Sequence, residues 1–197
     1  MRFQTSIKCV TLMISLASCI QVPELPAGAW SIEERSDGSL ISRSVDDPTL
    51  TPIITRAPID PESDSEADST AVDAPTSLNP RFAWANGDCW SYKLNAEGTD
   101  RAVTQMKEWY SVGRPNLCSN DSNGGVRVYS LGGPYKAMVY YCIVARNACG
   151  NLDLNDVNYA LRQMDAHCPR YQASWFRWPG SNEIVGKANV GDHICVY

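Results

Sequence analysis

Two histidines, His167 and His193, are all the chain has. Imidazole is the side chain that exchanges protons readily near neutral pH and is a common metal ligand. The supply for histidine-based catalysis is therefore thin. No Cys-x-x-Cys pair occurs, so zinc and thioredoxin chemistry lack their spacing. The sequence also has no Gly-x-Ser-x-Gly elbow, no phosphate loop and no His-Glu-x-x-His helix. No apolar run is long enough to cross a bilayer, the stretch at residues 9–20 included. Dibasic processing sites and internal repeats are missing too. No cofactor or metal is expected.

The acidity of the chain, net −5 at pH 7, sits in one stretch. Residues 30–80 carry eleven acids and three bases, whereas residues 81–197 carry ten acids and twelve bases. The second part is near neutrality and gives no electrostatic footprint for nucleic acid. At the start, Arg2 and Lys8 precede an apolar core at residues 9–20. This reads as a signal peptide over 1–19, cut after Ala17 or Cys19, with Ala29 as a later option. Residues 20–80 read as a disordered acidic segment, either a solvated tether or a removed pro-segment. Ser, Asp, Glu, Pro and Thr dominate residues 30–80, and the apolar residues show no period.

Export gives the cysteines meaning. Cys9 and Cys19 leave with the signal, and six remain: Cys89, Cys118, Cys142, Cys149, Cys168 and Cys195. An even number in a secreted chain implies three disulfides. The part that carries them, 81–197, is expected to fold as one cysteine-rich α+β domain. Residues 88–94 read as a strand. Ala102, Val103, Met106, Trp109 and Tyr110 mark a helix led in by Gly98 and Thr99 and ended by Gly113. Cys118 is placed in the following loop, where Asn120-Asp121-Ser122 is a glycosylation sequon.

Residues 126–130 and the apolar run 137–145 predict an antiparallel hairpin, the second strand being central and covered on both faces. A second helix opens at Asp153, with Asp156 favouring its positive end and Leu152 and Val157 set as a staple. Val157, Leu161, Met164 and Cys168 fall on one face, and Pro169 stops the helix. Residues 172–178, 183–187 and 193–197 are read as extended. The predicted architecture is two helices packed on one antiparallel sheet, a disulfide-stapled sandwich with a disordered N-terminal segment.

One pairing is unfavourable. Cys149 precedes the second helix and Cys168 ends it, about 20 Å apart if the helix has roughly 14 residues, whereas a disulfide needs Cα atoms within about 7 Å. Cys168 should therefore bond to a strand cysteine, with Cys142 the first choice.

Candidate sites are few. His167 lies in the last helical turn, where a cation suits the dipole. His193 follows Asp192, but adjacent residues in extended chain point apart. A ribonuclease-like trio would require His193, Glu183 and Arg177 to converge. Arg170, Tyr171, Trp175, Arg177 and Trp178 form the candidate recognition surface, being residue types common at binding hot spots, although rings of this kind also fill cores. No residue is assigned a catalytic role.

The residues Met138-Val139-Tyr140-Tyr141-Cys142, Asn147-Ala148-Cys149, Ala166-His167-Cys168, Ser174-Trp175-Phe176 and Gly191-Asp192-His193-Ile194-Cys195 resemble a family of small secreted fungal proteins. These are the necrosis-inducing extracellular effectors of plant pathogens, whose fold is similar to a virally encoded fungal killer toxin. The likeness covers roughly the last hundred residues. It implies a secreted, extracellular, monomeric virulence effector. Such a protein binds a protein, glycan or membrane target of a host or competitor without turnover, with host cell death as one outcome. Two other expectations stand beside it: a killer-toxin-like antimicrobial acting on a membrane channel, and a small secreted hydrolase or nuclease.

Overall fold

The computed structural model describes residues 20–35, 37–56, 85–112, 117–119, 125–131 and 133–195. Residues 1–19, read from the sequence as a signal peptide, residues 57–84, Gly113 and the Asn120 sequon lie outside them. The elements are β1 (Ile20–Gln21), β2 (Gly28–Glu34), β3 (Leu40–Ser44), β4 (Ile53–Thr55), β5 (Gly87–Lys93), α1 (Ala96–Ser111), β6 (Leu117–Cys118), β7 (Gly125–Leu131), β8 (Ala137–Ile143), β9 (Cys149–Gly150), α2 (Leu154–His167), β10 (Gln172–Arg177), β11 (Glu183–Asn189) and β12 (His193–Ile194). The class is α+β. Eight strands form one antiparallel sheet in the order β4-β3-β2-β7-β8-β11-β10-β5, and the pairs β1-β12 and β6-β9 stand apart from it.

The expected hairpin is present as β7–β8, from Gly125↔Ile143 to Leu131↔Ala137. All seven residues of β8 are buried, because alternate side chains enter two different cores. Val139, Tyr141 and Ile143 meet Ala102, Met106 and Tyr110 of α1 and Val157, Ala160, Leu161 and Met164 of α2. Met138, Tyr140 and Cys142 face the other way, toward Ile20, Val22, Leu25, Trp30, Ile32 and Ile194. Both helices therefore cover one side of the sheet, and the two ends of the described chain cover the other.

The helix ends follow from local chemistry. Asp153 caps α2 by accepting from Asp156 N at 2.9 Å, and the Asp156 carboxylate accepts from Asp153 N at 3.1 Å, which satisfies two otherwise orphaned donors. Leu152 and Val157 are both buried at its base. Helix α1 starts earlier than Gly98. Asn95 is its N-cap and accepts from Gly98 N at 2.8 Å. A Cβ on Gly98 would sit 2.7 Å from Tyr135 Cβ, so this glycine lets the first turn of α1 approach the β7–β8 connection.

Three disulfides staple the chain: Cys89–Cys168, Cys118–Cys149 and Cys142–Cys195. As the helix length required, Cys168 avoids Cys149 and bonds to a strand cysteine. That partner is Cys89 on β5 and not Cys142, whose side chain is on the sheet face away from the helices and reaches Cys195 in the C-terminal segment. Cys118 is also not simply a loop residue. It pairs with Cys149 across the two-residue ladder β6–β9.

The larger correction concerns residues 20–80. Their described part, 20–56, is not disordered: it supplies β1, three strands of the large sheet and much of the second core. The folded unit therefore does not begin near residue 81. Ile20, Val22, Leu25, Trp30 and Ile32 are each at most 4% exposed, and burying each such side chain stabilises by about 1.5–3 kcal/mol. That burial outweighs the polar composition around it. A cut after Ala29 would remove three of these residues and divide β2.

Candidate functional site

Helices α1 and α2 and the turn after α2 enclose an open groove of about 340 Å³. Its construction starts at Cys168. The bond to Cys89 ties the C-terminus of α2 to the edge strand β5. Pro169 ends the helix, and Gln172 N donates to Pro169 O at 2.8 Å. This tight turn holds Arg170 and Tyr171 against α1. Asp100 of α1 receives both: Arg170 Nη2 at 3.3 Å on one carboxylate oxygen and Tyr171 Oη at 2.9 Å on the other. The Arg170 guanidinium also lies over the Tyr171 ring, 5.1 Å from its centroid. The hydrogen bond to Asp100 raises the Tyr171 phenol above its ordinary pKa.

The floor is Lys187 of β11, buried on the helix side of the sheet. Its Nζ donates to Asp165 Oδ1 at 2.7 Å and to Arg170 O at 2.8 Å. A buried ammonium needs such partners to offset its lost hydration. Lys107 and Arg162 line the groove as well. Four cations and two carboxylates thus surround a solvent-open concavity with an aromatic wall. The arrangement presents both donors and acceptors to a polar ligand.

A second groove, about 530 Å³, lies on the other side of the sheet between the β1–β12 pair and the outer strands. Ile20, Val22 and Leu40 contribute apolar lining; Glu34, Arg56 and His193 contribute charged or titratable groups. Partial burial raises the Glu34 carboxyl above its ordinary pKa.

The predicted recognition residues divide among four places. Arg170 and Tyr171 belong to the helix groove. Trp175 packs against the core on the far side of the sheet, with Trp90. Trp178 packs on the helix side, with its ring 5.1 Å from Phe176. Arg177 Nε donates to Ser181 O at 2.7 Å, holding the turn between β10 and β11. Neither face of β10 is free, because both sides of the sheet are covered.

The His193, Glu183 and Arg177 trio does not form. Glu183 accepts from the Tyr141 hydroxyl and from Asn151 N at 3.1 Å, on the helix side, while His193 lines the opposite groove. Asp192 lies in the turn before β12, not in extended chain, and is engaged elsewhere: its carboxylate accepts from the Tyr92 hydroxyl and from Asn189 N at 2.7 Å. His167 is exposed in the last turn of α2, its Nδ1 2.8 Å from Gln163 O. Among the described residues no His/Cys/Asp/Glu cluster has the makings of a metal site, and no helix is long and apolar enough to cross a membrane.

Sequence reasoning missed Asp100, Asp165 and Lys187. A signal existed for Lys187, a lone cation in the otherwise apolar run Ile184-Val185-Gly186-Lys187-Ala188. The chain matches no protein-family model, no curated protein and no solved structure.

Proposed function

We propose that this is a secreted, effector-like protein that binds an extracellular target without chemical turnover, and that the groove between α1 and α2 is its recognition site. The observation that carries the reading is the Arg170–Tyr171 turn, fixed to Asp100 and set above the buried Lys187. Three disulfides on a chain of this size favour an oxidising compartment. A groove with cations, carboxylates and one aromatic wall suits a hydroxyl-rich or acidic ligand, such as a glycan or a polar protein loop. The fungal-effector resemblance supports the same direction.

The test is to apply purified protein to plant tissue and to competing fungi. Arg170→Ala/Tyr171→Ala should lower potency at least tenfold with the fold intact, and His167→Ala/His193→Ala should leave it unchanged. Growth arrest of fungi without plant necrosis would move the reading to an antimicrobial toxin. A second reading, a small hydrolase, is favoured by one observation: His193, Glu34 and Arg56 line the same groove. Loss of activity in the histidine variant alone would replace binding by that reading.

A further inference from the structure

The three disulfides connect only residues between 89 and 195, and none reaches residues 20–56. That N-terminal segment is held by other means. Strand β2 pairs with β7 from Gly28↔Ser130 to Ile32↔Val126. Strand β1 pairs with β12, and Val22 N donates to Asp192 O at 3.3 Å. Beneath the segment lies an apolar surface built by the disulfide-bonded part: Val126, Met138, Tyr140, Ile184 and Ala188. Strands β4 and β5 end the sheet at opposite edges, about 30 Å apart at the usual strand spacing. The covalent link between them is residues 57–84, which contain six acids and one base, Arg81.

We propose that β7 and the apolar surface beside it form a strand-acceptor site, occupied in cis by residues 20–56. A single cut within 57–84 would turn this segment from part of the chain into an exchangeable ligand. The ligand class is an extended peptide that adds a strand at the β7 edge through main-chain hydrogen bonds. Its alternate residues Trp30 and Ile32 enter the core, which is the chemistry of strand addition. The three disulfides clamp the acceptor, so that its own elements stay joined when the donor leaves.

The experiment uses the full mature chain with a sequence-specific protease site inserted after Ser69. Cutting is verified by denaturing mass spectrometry. Native mass spectrometry at about micromolar concentration should then find both pieces in one complex. A fluorescent peptide of residues 20–56 should enter the cut protein and be excluded at least tenfold from the uncut one. The same peptide with Ile32→Asp should bind at least tenfold more weakly, and Glu33→Gln, on the polar side of β2, should bind nearly as well as the parent. The proposal is overturned if the pieces separate once cut, if the site resists cutting in the native protein, or if the peptide fails to discriminate cut from uncut chain.

Discussion

Lys187 Nζ stands 2.7 Å from Asp165 Oδ1, with the lysine side chain 2% exposed and the aspartate 42% exposed. The asymmetry decides which variant hurts more. Asp165→Asn leaves a buried ammonium with neutral acceptors and should cost about 1–3 kcal/mol, water at the open carboxylate keeping the figure below that of a fully buried pair. Lys187→Met keeps the buried stem and removes the charge, and should cost less. Urea unfolding of both variants measures this. A larger loss for Lys187→Met would show that the charge stabilises the fold beyond its desolvation.

Gly186 faces the ring of Tyr140 so closely that an added Cβ would overlap its Cζ, Cε1 and hydroxyl. Both sit in the filled core under the sheet, where the ring has nowhere to retreat. Gly186→Ala should destabilise by about 1–3 kcal/mol or more. Adding Tyr140→Leu should recover part of that loss, a coupling readable in a double-mutant cycle of unfolding free energies.

Alkaline pH tests the buried phenols. Burial first, and then the Glu183 carboxylate, raise Tyr141 well above an ordinary tyrosine; burial and Asp192 do the same for Tyr140. Burial and the hydrogen bond to Asp192 raise Tyr92. The folded state therefore keeps protons that the unfolded chain releases near pH 10. The stabilisation is fully present below that pH and is lost as pH climbs toward the folded-state values. The slope is up to about 1.4 kcal/mol per pH unit for each fully protected group. Phenolate absorbance should rise in two phases, with the late phase coinciding with loss of circular dichroism. Titration of all nine tyrosines in one ordinary phase would contradict the burial.

The disulfides should open in order. Cys118 and Cys149 are exposed, whereas Cys89, Cys168, Cys142 and Cys195 are each at most 5% exposed. Thiol exchange requires access to a sulfur. Mild reductant followed by alkylation and peptide mapping should label Cys118 and Cys149 first, and the other four together with unfolding. Early labelling of Cys142 would mean that the C-terminal segment opens independently.

The second half of the chain was legible because its signals are local. The β7–β8 hairpin, the Asp153 cap and the buried face of α2 each follow from a few neighbouring residues. The strands between residues 28 and 44 were hidden by the acid count, although Trp30-Ser31-Ile32-Glu33 alternates in period two and Asp37-Gly38 supplies a hairpin turn, Gly38 having φ +76°. Composition averaged over fifty residues concealed a pattern of four. The helix groove was half legible: Arg170 and Tyr171 stand out by residue type, but their partners Asp100 and Lys187 come from distant elements that only the packing brings together. The Cys142 partner was unreadable for the same reason, since it depends on which side of the sheet the C-terminal segment crosses.

The pairing of Ile20 with Ile194 has a practical corollary. A dye or affinity handle joined directly to either end of the described residues, beside Ile20 or Cys195, would crowd the same flank, next to His193 and away from the helices. Surface-immobilised protein tethered there would present the α1–α2 side to solution, whereas attachment through that side would bury the proposed recognition surface against the support.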